Sequence, residues 1–581
     1  MKKKSASRRL ESKLLCRSLP VAALLLPLLS ACGSGGDDSD SSPPKEEVSF
    51  GTEKACTDLV SNFHSDGVRI VSAVANPASE ASGRTPALPQ HCEVVGSADE
   101  RVGVDDQNYA IKFHLRIPMG DAWSGRFVFS GGGGSNGSIG DALAVNGSPV
   151  TPLVKGDAVL TQDSGHDNDT NDIPEKGGNR SFGFDFKARQ DNFYRSHGRV
   201  AKIAKEVIDT FQGNPPEYSY FAGCSKGGQE AAMVSQRFPD MFDGIVVGDP
   251  LLAAPMASMV RPASIAQTFA ALATEQGQID RNGLPFLNKT FTDADLDVLK
   301  AGVIDQCDAL DGVVDGLSQD FKACAQKFDI TRLQCKPGQV SGCLSEPQVA
   351  TLDKQMKGMS GDFGWYYDIG IVEGQLRSWW LGRYDAEQTN NSWVGRAVST
   401  MYLTPPQAVH STANNGSEPY RWLLNFDIPS GTAGIYATTP DFPESAWDMT
   451  FATGTDLSKF KQHGGKMLVY HGIADGAFTI QQTIDWIEGI NKENGGDATD
   501  FVRMYPVPGM GHCRGGQATS SFDMLTAVQD WVEQGKAPET VLATAPAGTP
   551  WEGRTRPLCT YPKVARYKGG DVESADSFVC E

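Results

Sequence analysis

The sequence predicts an α/β fold whose mostly parallel central sheet is interrupted by one large insertion. Short apolar runs that end in glycine-rich turns, at residues 125–130 and 158–160, are typical of buried parallel strands. Between residues 195 and 213 the apolar side chains recur at the spacing of an amphipathic helix, and strand patterns follow at residues 218–222 and 245–247. Alternation of this kind builds parallel βαβ units.

The insertion is predicted where this alternation stops. Strand patterns become rare after residue 251, tryptophans, cysteines and Asp-Gly turns accumulate, and the alternation resumes at residues 466–470. We therefore predict a main domain formed by residues 50–250 and 448–581, and a lid domain formed by residues 251–447. A chain of 581 residues is long enough for both.

The N-terminus has the pattern of a bacterial lipoprotein signal. Basic residues precede an apolar run at residues 19–29, and Leu29-Ser30-Ala31-Cys32 follows. We predict a signal peptide over residues 1–31, a lipid on Cys32 and a flexible tether over residues 32–49. A plain secretory signal is the alternative, and either signal exports the chain. No second apolar run is long enough to span a membrane, so the anchor is the one predicted membrane contact.

Charge and cysteine content restrict the possible partners. The formal net charge of −19 makes nucleic acid an unsuitable partner. Ten cysteines remain beyond the signal and Cys32, and an even number in an exported chain favours disulfides over zinc. Short spacings suggest the pairs Cys56–Cys92, Cys307–Cys324, Cys335–Cys343 and Cys559–Cys580, which leaves Cys224 with Cys513.

Two serines occur in a Gly-x-Ser-x-Gly pattern, which is a weak signal in a chain with 63 glycines. Ser225 lies between a predicted strand and a predicted helix, as the nucleophile of an α/β-hydrolase does. Ser135 has no such frame. Its glycine run, residues 131–134, instead resembles a loop that offers backbone N–H groups to an oxyanion. We therefore predict Ser225 as the nucleophile.

A serine nucleophile needs a histidine base and an acid that orients the base, here in the order Ser, Asp, His. Asp475 follows the predicted strand at residues 467–470, and His512 lies in a glycine-rich loop near the C-terminus. We predict these residues as acid and base. The weaker candidates are Asp485, His410, His463 and His471. A Cys224–Cys513 bond would join the neighbours of Ser225 and His512 and hold both loops in register.

An acidic loop in the predicted lid indicates a calcium site. Asp308, Asp311 and Asp315 alternate with glycines, and hard oxygen ligands on a winding loop suit Ca²⁺. The carbonyls of Val313 and Leu317 would complete the shell. The alternative is a pair of Asp-Gly turns without metal.

These motifs together resemble the tannase and feruloyl esterase family over nearly the whole mature chain. The resemblance rests on the Cys-Ser turn, the Asp loop, the His-Cys loop, the cysteine spacings and the acidic lid loop. It implies an α/β-hydrolase with a mostly parallel central sheet and a large inserted lid domain, and the triad Ser225, Asp475 and His512. It also implies oxyanion donors at the N–H groups of Lys226 and Gly132, and substrate contacts at Phe478, Trp380 and Tyr402.

The resemblance implies a carboxylic ester hydrolase that cleaves small aromatic esters through an acyl-enzyme. Family members that cleave terephthalate monoesters bind the free carboxylate with a lid arginine. Residues 399–406 hold no arginine here, and Arg396 is a nearby candidate. We therefore predict feruloyl or galloyl esters as substrates, with terephthalate monoesters as the alternative. A non-catalytic surface-binding lipoprotein is the alternative of another class, whereas a peptidase of this fold would carry propeller-like repeats that the sequence lacks.

Overall fold

The computed structural model describes residues 49–83, 85–358, 364–412 and 416–581. Ser49–Glu581 form one compact unit. The predicted signal peptide, Cys32 and nearly all of the predicted tether lie outside the described residues. Within these ranges, no helix is both long and apolar enough to cross a membrane.

Nine strands of the described chain form the central sheet: β1 (Val68–Asn76), β2 (His91–Val102), β3 (Asn108–Pro118), β4 (Arg126–Ser130), β5 (Ala158–Gln162), β6 (Tyr218–Cys224), β7 (Gly244–Gly248), β8 (Lys466–Gly472) and β9 (Val502–Val507). Their spatial order is β1-β2-β3-β5-β4-β6-β7-β8-β9. The pairs β1–β2, β2–β3 and β3–β5 are antiparallel, and all later neighbours from β5 to β9 are parallel. The predicted mostly parallel α/β sheet is confirmed. Two hairpin-like pairs follow: β10 (Thr540–Thr544) with β11 (Thr555–Cys559), and β12 (Ala565–Tyr567) with β13 (Phe578–Cys580).

The described residues form these α-helices: α1 (Glu53–Asn62), α2 (Phe186–Gln190), α3 (Ser196–Gln212), α4 (Lys226–Arg237), α5 (Arg261–Glu275), α6 (Asp293–Cys307), α7 (Phe321–Lys327), α8 (Glu346–Met356), α9 (Ser399–Tyr402), α10 (Ser417–Asn425), α11 (Ile428–Gly431), α12 (Ala433–Tyr436), α13 (Ala446–Thr450), α14 (Ser458–His463), α15 (Ile480–Glu493) and α16 (Met524–Gln534). The amphipathic helix predicted before residue 213 is α3. Its apolar stripe is buried in the same cluster as residues of the sheet: Val200, Ile203, Ala204, Val207, Ile208 and Phe211.

The lid occupies the long connection between β7 and β8 and is mainly helical. The predicted lid range, residues 251–447, contains α5 to α12, the start of α13 and a π-helix at Ile371–Trp380, and its described part contributes no strand to the central sheet. Its apolar core is continuous with the main domain, because Phe269 and Trp380 of the lid share one buried cluster with Phe193 and Phe478. The lid is therefore packed into the same body as the sheet.

Every predicted disulfide pairing is present in the described chain: Cys56–Cys92, Cys224–Cys513, Cys307–Cys324, Cys335–Cys343 and Cys559–Cys580. Disulfides at this density are typical of proteins that fold outside the cytosol. They are consistent with a secreted or otherwise extracellular protein.

Candidate active site

Ser225 occupies a strained turn at the carboxyl end of β6. Its backbone has φ 65° and ψ −122°, a region that L-residues rarely adopt, and α4 begins at the next residue. The turn is tight, because a Cβ added at Gly223 would lie 2.4 Å from the carbonyl oxygen of Gly227. The Ser225 N–H donates to the Gly248 carbonyl of the neighbouring strand at 3.0 Å. This strand-turn-helix arrangement presents the hydroxyl above the sheet edge.

Asp475 and His512 meet at the ends of β8 and β9. His512 Nδ1 lies 2.8 Å from Asp475 Oδ2, and the other carboxylate oxygen accepts the N–H groups of Ala477 and Phe478. Burial would raise the pKa of Asp475, but the charge and hydrogen bond of His512 hold it well below its usual value. Burial would also lower the pKa of His512, yet the Asp475 carboxylate raises it overall. An ionised acid thus orients the imidazole for proton transfer.

The Cys224–Cys513 bond joins the residue before Ser225 to the residue after His512. The two Cα atoms lie 5.9 Å apart across 289 residues of sequence. This bond therefore brings the nucleophile loop and the base loop to one place, as the sequence predicts.

A pocket opens at Ser225, and its walls combine aromatic rings with two cations. Trp379, Trp393 and Phe478 line it, together with Tyr402 from α9 and the arginines Arg180 and Arg396. The rings of Trp379 and Phe478 each meet the His512 ring edge to face, with centroids 5.1 Å apart. The aromatic side chains that line the pocket are thus in direct contact with His512.

The two arginines have no acidic partner among the described residues. Arg180 donates only to the side chain of Asn179, at 3.0 Å, while Arg396 stacks over Trp379 and Trp393. Burial, together with the neighbouring Arg180, lowers the pKa of Arg396 to about 10, so it remains charged at neutral pH. The pocket therefore carries positive charge that no acid of the described chain neutralises.

Trp380, predicted as a substrate contact, does not line the pocket, and the preceding residue Trp379 lines it instead. Trp380 is fully buried, and its indole N–H donates to the Gly476 carbonyl at 3.0 Å. Successive residues of the π-helix point in different directions, so Trp379 faces the pocket while Trp380 faces the lid core. Trp380 therefore supports the loop after Asp475. Phe478 and Tyr402 line the pocket.

Gly132 does not have a free amide. Its N–H donates to Glu230 Oε2 at 2.8 Å, and Glu230 also forms a buried ion pair with the side chain of Lys226. Within the described residues, the backbone N–H groups of Lys226, Gly133 and Gly134 donate to no protein acceptor. The predicted donor at Lys226 is thus available, whereas the Gly132 N–H is occupied and those of Gly133 and Gly134 are not.

Of the weaker candidates from the sequence, Ser135 and His471 lie at the site, whereas Asp485, His410 and His463 lie away from it. Ser135 is buried in the glycine run and lines the pocket. Asp485 is exposed on α15 and His410 is exposed in the lid, while His463 lies 3.4 Å from Asp243 at the end of α14. His471 is fully buried beside Asp475.

Several residues of this region escaped the sequence prediction, Trp379 and Trp393 among them. Glu230 could have been found from its position four residues after Lys226 on one helix. Asp249 directly follows a buried strand, as an acid at the sheet edge does. Arg180 lies in an irregular segment where no spacing points to the pocket.

The predicted calcium loop holds three buried carboxylates, and two of them have no basic partner in the described chain. Asp308 is 3% exposed and Asp311 is 1% exposed, and both accept backbone N–H groups of the loop. Burial raises the pKa of Asp308, and it raises that of Asp311 to about 7. No lysine or arginine of the described chain pairs with either, whereas Asp315 is paired with Arg556. Two buried acids without a cation fit a divalent metal ion.

Comparison with known proteins agrees with this geometry. A family profile described as tannase and feruloyl esterase matches residues 92–581. The mono(2-hydroxyethyl) terephthalate hydrolase of Piscinibacter sakaiensis is 38% identical over 536 residues, which cover 87% of each chain. A probable feruloyl esterase of Arthroderma benhamiae is 30% identical, covering 82% of this chain and 83% of that protein.

Among solved structures, feruloyl esterase B from Aspergillus oryzae is similar in fold, with a TM-score of 0.66 and 23% identity. The match covers 91% of this chain and 100% of that one. The tannin acyl hydrolase of Aspergillus niger has a TM-score of 0.63, with 91% and 94% covered. The chain is a carboxylic ester hydrolase, and it belongs to the tannase and feruloyl esterase family.

Proposed function

We propose that the protein hydrolyses monoesters of aromatic dicarboxylic acids, such as mono(2-hydroxyethyl) terephthalate. The observation that carries this proposal is the uncompensated pair Arg180 and Arg396 in an otherwise aromatic pocket. An acyl group with a second carboxylate would supply the missing negative charge, and guanidinium groups bind carboxylates in a bidentate manner. The substrate named for the Piscinibacter sakaiensis relative has this chemistry.

The reaction would proceed through a covalent acyl-enzyme. His512 accepts the proton of Ser225 as the hydroxyl attacks the ester carbonyl, and Asp475 stabilises the imidazolium. The Lys226 N–H and one N–H of the glycine run would hold the oxyanion. Protonated His512 then gives its proton to the leaving alcohol, and a water deprotonated by His512 releases the acid.

Feruloyl or galloyl esters are the second candidate. The hydroxyl-bearing side chains of Tyr402, Ser258 and Ser135 line the pocket, so phenolic hydroxyls could also find partners there. The relative from Arthroderma benhamiae is named as a probable feruloyl esterase.

Replacing Arg396 or Arg180 by alanine is expected to raise KM for mono(2-hydroxyethyl) terephthalate by roughly 10–100-fold, because each substitution removes a charged hydrogen-bond donor. KM for methyl benzoate, which has no second carboxylate, should change by less than about threefold, and Arg383→Ala on the lid surface should change neither value. Steady-state kinetics with both esters measure this difference. If the wild-type enzyme has a higher kcat/KM for methyl ferulate or methyl gallate than for the terephthalate monoester, the second candidate replaces the first.

We further propose that loop 308–317 binds Ca²⁺. The side chains of Asp308 and Asp311 would supply the main ligands, Asp315 would be shared with Arg556, and the Val313 and Leu317 carbonyls would complete the shell. The ion would neutralise two buried carboxylates and so stabilise the lid.

Removal of calcium by EDTA is expected to lower the free energy of unfolding by about 2–3 kcal/mol. This is the loss for a site at which the free calcium concentration is about 100-fold above the Kd. Thermal unfolding with and without added CaCl₂ measures the effect, and elemental analysis measures bound calcium. Asp311→Asn should abolish the response to EDTA. An unchanged melting temperature in a protein that contains no calcium would contradict the proposal.

The N-terminal pattern supports export with a lipid on Cys32. The apolar run at residues 19–29 and the Leu29-Ser30-Ala31-Cys32 sequence carry this proposal. The acidic tether would then separate the anchor from the enzyme, which would lie at a bacterial membrane surface or be secreted.

A further inference from the structure

A second acid, Asp249, lies behind the triad at the carboxyl end of β7. It is fully buried, and its Oδ1 accepts the Gly472 N–H of β8 at 2.9 Å. Its Oδ2 lies 3.6 Å from Cys224 Sγ of the bond that joins the catalytic loops. Asp249 therefore contacts both the strand that leads to Asp475 and the disulfide beside Ser225.

His471 lies between this acid and the triad acid. It is fully buried, with Nε2 3.5 Å from Asp475 Oδ2 and 3.9 Å from Asp249 Oδ1. The same nitrogen lies 3.1 Å from the Phe478 carbonyl, and Nδ1 lies 2.8 Å from Thr483 Oγ1. A carboxylate oxygen of Asp249, a ring nitrogen of His471 and a carboxylate oxygen of Asp475 all lie within 4.8 Å of one another.

Two carboxylates this close in a buried site do not both ionise at low cost unless a positive charge is added. No lysine or arginine of the described chain pairs with Asp249 or Asp475. The titratable groups around Asp249 are His471 and Tyr470 of β8, Asp475 after β8 and His512 after β9. Any proton that compensates these acids is therefore held within this small set of side chains.

We propose that Asp249, His471 and Asp475 share protons as one group, and that Asp249 is a positioning residue that sets the pH at which His512 becomes a base. This inference rests on the proposed serine-hydrolase mechanism but not on the identity of the ester.

The direction of the effect follows from the charges. Burial raises the pKa of Asp249 to about 7, close to the range in which a histidine titrates. When Asp249 is deprotonated, its negative charge stabilises protonated His512 and so raises the pKa of His512. An uncharged residue at position 249 should let His512 lose its proton at lower pH.

The test is the pH dependence of kcat/KM for methyl benzoate, which does not itself titrate. Asp249→Asn should move the acid limb to lower pH by roughly half a unit or more, with plateau kcat within about threefold of wild type because asparagine still accepts the Gly472 N–H. Asp249→Leu loses that acceptor and should lose plateau kcat at least about tenfold. Asp157→Asn removes a buried acid at the opposite end of the sheet and should leave the profile unchanged.

His471→Gln gives an opposite and independent result. Loss of a protonatable side chain between the two acids should raise the pKa of His512 and move the acid limb to higher pH. The rate at which a fluorophosphonate probe labels Ser225 also depends on His512. If methyl benzoate is not hydrolysed, the pH dependence of this labelling rate is measured instead. Profiles of Asp249→Asn and His471→Gln that superimpose on the wild type, or an equal shift in Asp157→Asn, would overturn the proposal.

Discussion

Ser225→Ala is expected to lower kcat by about 10⁴-fold or more and to leave the melting temperature close to that of the wild type. The loss is large because no acyl-enzyme forms without the hydroxyl, so the oxyanion donors and substrate binding alone remain to accelerate hydrolysis. Stability is retained because the substitution removes one half-buried hydroxyl and leaves the turn backbone unchanged. Kinetics and thermal unfolding of the purified variant measure both quantities.

The competing serine provides the control. Ser135 also lies in a Gly-x-Ser-x-Gly pattern and lines the same pocket. A fluorophosphonate probe should label the wild type and Ser135→Ala but not Ser225→Ala, because the probe reports a serine activated by a neighbouring base. Labelling of Ser225→Ala, or normal turnover by it, would remove Ser225 from its assigned role.

The parts of the site that the sequence predicts are those placed by the sheet. Ser225, Asp475 and His512 each follow an apolar strand, and parallel strands bring their carboxyl ends to one edge. The same reasoning extends to Asp249, which directly follows β7 but was not among the acids considered from the sequence. Strand ends and chain order are properties of local sequence, so these positions could be inferred before the fold was known.

The parts that escaped prediction depend on side-chain direction and tertiary contacts. Whether Trp379 or Trp380 faces the pocket depends on the phase of a π-helix, in which two neighbouring residues point in different directions. The Gly132 N–H, predicted as an oxyanion donor, instead donates to Glu230, which lies 98 residues away in the sequence. Arg180 reaches the pocket from an irregular segment, where no periodicity gives its direction. Substrate contacts are therefore harder to predict than the triad. The sequence favours feruloyl or galloyl esters because it does not show that Arg180 and Arg396 line the same pocket.

Removing the Cys224–Cys513 bond, in a Cys224→Ala/Cys513→Ala variant, is expected to lower the free energy of unfolding by roughly 5–6 kcal/mol in the chain-entropy treatment. The effect is large because the bond closes a loop of 289 residues, whose ends are otherwise free to separate in the unfolded chain. Denaturant unfolding measures the change. We also expect kcat to fall by at least about tenfold, because Ser225 and His512 are carried by the two loops that the bond connects.

Cys335→Ala/Cys343→Ala is the matched control for this prediction. That bond closes a loop of only 8 residues in the lid, so its loss should cost about 2–3 kcal/mol and leave kcat unchanged. A stability loss in both variants with a kcat loss only in Cys224→Ala/Cys513→Ala would separate the positioning of the catalytic loops from general stabilisation. If both variants lose stability and both retain kcat, the two loops are held in register by the packing of Trp379 and Phe478 against His512, and the disulfide acts on the unfolded chain alone.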